Sequence, residues 1–157
     1  MIHFELNTID KKHIEIDIMN SNPTYNLIAK GKEAIDEQDV EEEFRESVDL
    51  EVVRLFVKNK DDDIGIIDYC LSNPSDGKTW ISLFVIHKKY QGSGLAKKIY
   101  SQFETRILDK GKKIISLAIH EINVQGIQFW SSLGFGKYKQ LIYNHKPHFC
   151  LEKRISF

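Results

Sequence analysis

Apolar positions along this chain keep two rhythms, one of about four residues and one that is shorter or unbroken, and the two alternate. Residues 10–19 place Ile14 and Ile18 on one face behind Asp10, which predicts a short helix capped by that aspartate. Asn22-Pro23 should end it. Residues 33–49 carry Val40, Phe44 and Val48 at four-residue spacing among acids, which predicts a helix with one apolar stripe and a charged outer face. Residues 52–58 and 64–71 read as strands on either side of a turn at 59–63, and Asn73-Pro74-Ser75-Asp76-Gly77 is a second turn. A buried strand over 80–86 then runs into His87, a short basic loop and Gln91-Gly92-Ser93-Gly94-Leu95-Ala96. Leu95, Ile99, Phe103 and Ile107 recur every four residues to about Lys110, and Gly111 stands where a C-terminal cap belongs. Residues 114–119 are nearly all apolar, as expected of a strand covered on both faces. Asn123 can cap a helix that ends at Leu133-Gly134, and 137–143 and 149–155 close the chain as two strands around a loop at 144–148.

This order predicts one α/β domain with a mixed sheet. The length of 157 residues suits a single domain with a real core, and the 41% apolar content is ordinary globular usage. No apolar run approaches the roughly 20 residues that a membrane-spanning helix needs. The first ten residues lack the plan of a signal peptide. Cys70 and Cys150 have no close spacing, so both are expected to be reduced core residues of a cytoplasmic protein. His145-Lys146-Pro147-His148, with two histidines and no third ligand, reads as a surface loop rather than a metal site.

The charge is uneven. Residues 1–85 hold 9 Lys/Arg against 19 Asp/Glu, and residues 86–157 hold 13 against 4. The basic half also contains the glycine-bearing turn between strand and helix, where backbone N–H groups and the positive helix end favour an anion. A phosphate-rich small molecule suits that combination. The basic residues form no dense run interleaved with aromatics, which argues against nucleic acid. The turn is neither a dinucleotide fingerprint, since Lys97 stands where the third glycine would be, nor a phosphate-loop G-x-x-x-x-G-K-[S/T].

Three segments in register resemble the GNAT-type N-acetyltransferase superfamily. Gln91-x-x-Gly94-x-Ala96 matches its acetyl-CoA motif, Asn123 stands at its asparagine, and Phe129-Trp130-Ser131-Ser132-Leu133-Gly134-Phe135 matches its closing segment. The resemblance covers residues 80–136; residues 1–79 match only in pattern. It implies that residues 1–157 form a single GNAT-like acetyltransferase domain of the α/β (α+β) class. Its central sheet would be mixed and mostly antiparallel, flanked by helices, with a splayed strand pair at the acetyl-CoA site. The pyrophosphate would lie on backbone groups of Gln91, Gly92, Ser93, Gly94, Leu95, Ala96 and Lys97, where small residues let oxygens approach the main chain. Lys88, Lys89, Lys97 and Lys98 are near enough in sequence to add charge. Phe84, Val85 and Ile86 would pair their backbone with the pantetheine arm and polarise the thioester carbonyl. Asn123 would cap its helix and touch the donor.

The resemblance also implies transfer of acetyl to a primary amine by direct attack in a ternary complex. Many members use a tyrosine to protonate the departing thiolate; here that position is Trp130, which has no dissociable proton. A thiol of pKa about 8.5 leaves at a cost of only about 2 kcal/mol, whereas neutralising an amine of pKa near 10.4 at pH 7 costs about 4–5 kcal/mol. The base therefore matters more than the acid. Ala118 stands where some members carry glutamate, which leaves Glu121, His120 and Asp68 as candidate bases, with Tyr69 beside the last. Tyr138 and Tyr143 are candidate replacements for the acid. The acceptor would be a small-molecule or peptide amine, and the acidic 33–49 segment suggests a cationic one such as a polyamine, an aminoglycoside or a lysine side chain. A homodimer is an expectation from the family, although no stretch marks an interface. The alternative is a non-catalytic acyl-CoA-binding sensor, kept open by Trp130 and Ala118; a partner-binding domain without coenzyme A is a third reading.

Overall fold

A computed structural model describes residues 1–156. Seven strands form one continuous sheet in the order β1-β2-β3-β4-β5-β7-β6. They are β1 (Ile2–Leu6), β2 (Val53–Asn59), β3 (Asp62–Cys70), β4 (Thr79–Ile86), β5 (Ile114–His120), β6 (Gly136–Tyr143) and β7 (Lys146–Arg154). Every neighbouring pair is antiparallel except β4 and β5. Helices α1 (Lys12–Asn20), α2 (Pro23–Lys30) and α3 (Glu37–Asp49) precede β2, α4 (Leu95–Asp109) joins β4 to β5, and α5 (Val124–Ser132) follows β5. Among the described residues no helix is long and apolar enough to cross a membrane.

The core has two parts, one on each sheet face. Ile99, Tyr100, Phe103 and Ile107 of α4 pack with Ile115, Leu117 and Ile119 of β5. Ile18 and Met19 of α1 and Val40 of α3 pack with Phe56, Ile66 and Val85 on the other. Alternation along β3 therefore sends Ile67 and Tyr69 toward α4 while Ile66 and Asp68 face α1–α3.

Several sequence expectations need correction. β1 is not among the predicted elements, although Ile2, Phe4 and Leu6 alternate with polar residues; it is a short edge strand on β2. Asp10 does not cap a helix: it lies within a 3-10 turn ahead of α1 and accepts a hydrogen bond from the Thr8 hydroxyl. Pro23 does not simply stop a helix but opens α2, where its missing N–H costs nothing. The acidic helix starts at Glu37, fixed by a reciprocal capping box between Asp36 and Asp39. Val48 is 78% exposed and Ser47 is buried instead, because the stripe advances by 3.6 residues per turn and not four. Residues 144–148 are no loop. Asn144 and His145, both at positive φ, make a tight two-residue hairpin, and β7 starts at Lys146. β5 is not covered on both faces to its end: Ser116 is buried, but Ala118 on the same face is exposed.

Candidate functional site

β4 and β5 pair in parallel only from Thr79–Ile115 to Ile81–Leu117, and then diverge. At the same point β4 bulges. Leu83 pairs with Asp68 of β3 but Ile81 pairs with Tyr69, so Ser82 is the extra residue. Beyond it, residues 82–86 have a partner strand on one edge only. The bond from His87 N–H to Ile64 C=O sets the phase of that ladder. By alternation Leu83 and Val85 bond to β3, and Phe84 and Ile86 turn their backbone groups toward the splay. Val85 thus leaves the expected open-edge trio. The Ile86 carbonyl is also engaged: it accepts from Gln91 Nε2 at 2.8 Å and Asn22 Nδ2 at 3.1 Å.

The glycine loop lies at the end of this edge. Gly92 (φ 85°) and Gly94 (φ 79°) are both left-handed, a conformation that a Cβ would penalise. Gly94 is the N-cap of α4 and offers no side chain to its first turn. Among the described residues the N–H groups of Gly92, Ser93 and Gly94 donate no hydrogen bond. Those of Leu95, Ala96 and Lys97 have no acceptor within the helix, by the geometry of a first turn. Six N–H groups without an acceptor thus lie at or before the positive end of a fifteen-residue helix. The loop is held to the α1–α2 junction. Gln91 Nε2 donates to Asn22 Oδ1 at 2.7 Å, and Lys88 N–H donates to Ser21 Oγ at 3.1 Å. Lys88, Lys89, Lys97 and Lys98 are exposed around it.

Asn123 caps α5 by accepting from Gly126 N–H at 2.9 Å. Gly126 is small for a reason invisible in the sequence. A Cβ there would stand 2.7 Å from Asn123 Nδ2 and 2.6 Å from Ile119 Cδ1. Trp130 is 7% exposed and sits edge-on to Phe84, Tyr100 and Phe135 at centroid distances of 5.4, 5.6 and 5.1 Å. Its indole is a core element between the open strand and α4.

The far end of the splay opens into a cleft of about 510 Å³. α2 and α3 bound one side, with Tyr25, Glu43 and Glu46; the floor is Asp68, Ser82, Leu83 and Ala118; the other side is His120, Asn123, Tyr143 and His148. An annex of about 140 Å³ adjoins it, sharing Lys30, Glu43, Glu46 and Leu83 and reaching Glu15 and Arg54. Of the acids in the 33–49 segment, Glu43 and Glu46 line the cleft and Asp39 and Glu42 the annex, and Glu43 is paired with Lys30.

Of the six candidate catalytic side chains, the cleft collects His120, Asp68 and Tyr143, while Tyr69 turns to the opposite face of the sheet. His120 lies opposite His148 in the β5–β7 register, with ring centroids 4.0 Å apart. Burial, with the charge of His148 and Lys146 nearby, lowers its pKa below the ordinary value of 6.5. His148 Nδ1–H donates to the Lys146 carbonyl at 2.9 Å, which fixes the orientation of the ring behind His120. The sequence places His148 in a surface loop; only the strand register shows it behind His120. Glu121 is exposed outside the cleft lining and accepts from Gln140 Nε2 at 3.3 Å. Tyr138 also lies outside that lining, beside Ser116 and Cys150, and burial raises its phenol pKa.

Asp68 is part of a buried network. Arg54 Nε donates to Asp68 Oδ2 at 3.0 Å and Arg54 Nη2 to Glu15 Oε2 at 2.7 Å, while Asn7 Nδ2 donates to Glu15 Oε1 at 2.9 Å. Arg54 also lies over the Phe44 ring, 4.5 Å from its centroid. Burial, reinforced by Glu15 and Glu43 and opposed by Arg54, lifts Asp68 to about 7.

The model of the acetyltransferase (GNAT) family matches residues 21–135. A curated spermine/spermidine N(1)-acetyltransferase from Bacillus subtilis (strain 168) is 33% identical over 70 residues, 44% of this chain and 46% of that protein. The match thus spans less than half of the relative's length. Among solved structures, an acetyltransferase from Thermus thermophilus superposes with a TM-score of 0.82 at 15% identity, covering 98% of this chain and 97% of the other. A spermidine N-acetyltransferase from Vibrio cholerae, in complex with CoA and spermine, gives 0.75 at 13% identity over 98% of this chain and 95% of the other. These two likenesses are of fold.

Proposed function

The chain belongs to the acetyltransferase (GNAT) family, and on that premise we propose that it moves the acetyl group of acetyl-CoA to a cationic primary amine, with spermine- and spermidine-like polyamines as the leading acceptors. One observation carries this reading: the splay of β4 from β5 runs from a loop of unpartnered N–H groups at one end to an acid-walled cleft at the other. A diphosphate fits the first, an ammonium fits the second, and the open strand edge spans the distance between them.

In this reading the amides of residues 92–97 hold the diphosphate, and the open-edge backbone of Phe84 with the Ile86 N–H aligns the arm that follows. The donor supplies an activated thioester. The chain's own work is to orient the amine and take its proton. His120 is half-buried, faces the cleft and is kept neutral by its lowered pKa, so it can accept that proton at pH 7. His148, whose Nδ1–H is held by the Lys146 carbonyl, packs behind it and fixes its ring. No side chain at the Trp130 position returns a proton to the thiolate, and a thiol of pKa about 8.5 leaves without one at modest cost. The proposed setting is the cytoplasm, where Cys70 and Cys150, both free and buried, stay reduced.

The buried Trp130 also fits a non-catalytic acyl-CoA sensor. Thiol release from acetyl-CoA, measured with spermine, spermidine, an aminoglycoside and a lysine peptide, separates the two. Release with a polyamine supports transfer. Tight acetyl-CoA binding with no release above background for any amine replaces transfer with sensing.

A further inference from the structure

The network beneath the cleft is short of one positive charge. Glu15 from α1, Arg54 from β2 and Asp68 from β3 are 2–3% exposed. Together they bring two carboxylates to one guanidinium. Glu15 is saturated by Arg54 and Asn7. Asp68 uses one oxygen on Arg54, and its second, Oδ1, is buried with no hydrogen-bond partner. An unpaired carboxylate oxygen in such a site is costly unless a cation or a proton meets it. Asp68 also lines the main cleft, beside Ser82 at the bulge where β4 leaves β5. The charged and titratable groups facing it are Glu15 from α1, Arg54 from β2, Glu43 from α3 and Tyr25 from α2. The cations at hand are Arg54, shared with Glu15 although its Nη1 has no partner, and Lys30 of α2 in the same cleft, which is paired with Glu43.

Resting on the acetyltransferase reading, we infer that Asp68 Oδ1 is the seat for an ammonium group of the acceptor, and that the uncompensated charge of the Glu15–Arg54–Asp68 network is what makes it one. Glu15 then acts as a positioning residue without touching the acceptor. Its carboxylate cancels the charge of Arg54, so the network carries one negative charge in excess once Asp68 ionises, while the same carboxylate raises the pKa of Asp68 and brings that ionisation toward neutral pH. A polyamine suits this floor because Glu46 stands at the mouth of the annex for a second ammonium, next to Glu43, which is already paired with Lys30. The pKa of Asp68 near 7 has a consequence for affinity: the anion that binds the cation grows in as pH rises from 6 to 8.

The test uses the full chain, with spermine as the probe in calorimetry at pH 6 and pH 8, and coenzyme A binding as the check that each variant is folded. Wild type should bind spermine about tenfold more tightly at pH 8. Asp68→Asn and Glu15→Gln should each bind it at least tenfold more weakly at pH 8 and lose the pH dependence. In turnover, the Glu15→Gln change should fall on KM for the amine more than on kcat. Unchanged spermine affinity in either folded variant overturns the inference, and so does a wild-type affinity that is flat with pH. Spermine that binds as expected but never accepts acetyl leaves the seat standing and defeats the transfer reading. Transfer with an unaltered KM in Asp68→Asn does the reverse.

Discussion

Replacing Asp68 by asparagine should change how stability depends on pH, in the absence of any amine. In the folded chain its pKa is about 7 against an ordinary 3.8, because burial disfavours the anion more than Arg54 favours it. A carboxyl whose folded pKa is raised contributes its full stability only below the unfolded value and loses it as pH climbs to the folded one. The gap between 3.8 and about 7 corresponds to roughly 4 kcal/mol in all, of which about 2–3 kcal/mol falls between pH 5 and pH 8. Asparagine cannot ionise, and it leaves Arg54 paired with Glu15 at 2.7 Å. Urea unfolding, followed through the fluorescence of Trp80 and the buried Trp130, gives stability for both chains at each pH. Wild type should lose about 2–3 kcal/mol more than Asp68→Asn across that interval, near 1 M in midpoint for an m-value of about 2–3 kcal/mol/M. Parallel pH dependences would refute the charge accounting, because the buried carboxylate would then be compensated by something not identified.

Gly126→Ala should cost about 1 kcal/mol in urea unfolding, since its Cβ would displace the Asn123 amide from the N-cap of α5. Trp130→Ala should cost about 3–5 kcal/mol through loss of its aromatic contacts, while Trp130→Phe should keep acetyl transfer per folded molecule within about threefold, as expected of a packing residue rather than an acid. His120→Gln should lower kcat by about 10²–10⁴-fold. In wild type the acidic limb of the rate profile should lie below pH 6.5, in keeping with the depressed pKa of His120, and it should vanish in the variant.

The parts of the fold that are legible in sequence are those where local chemistry leaves one solution. Gly92 and Gly94 are legible because positive φ at two positions of one loop demands glycine. Asn123 is legible because helix caps accept few residue types. The run at 114–119 could only be a buried strand, though the opening of its Ala118 face depends on where β4 departs. Pro23 is ambiguous in sequence, because the residue that cannot continue one helix is here the one that starts the next. The candidate catalytic face is mostly hidden. His120 meets His148 only through the β5–β7 register, which no local pattern fixes. Asp68 stands out in sequence only as a candidate base on a strand, Glu15 looks like an ordinary surface charge, and Arg54 interrupts an otherwise apolar strand. Their meeting requires three elements to pack, and Glu121, next to His120 in sequence, is sent to the exposed side by the turn after β5.

The measurement that bears most directly on the whole account is calorimetric titration of coenzyme A into the wild-type chain and into Gly94→Glu. The glutamate would force a side chain onto a φ of 79° and set a negative charge among the N–H groups at the start of α4. Wild type should bind coenzyme A one-to-one, and the variant should lose that binding. No heat with the wild type, or equal affinity in both, would contradict the proposed diphosphate site.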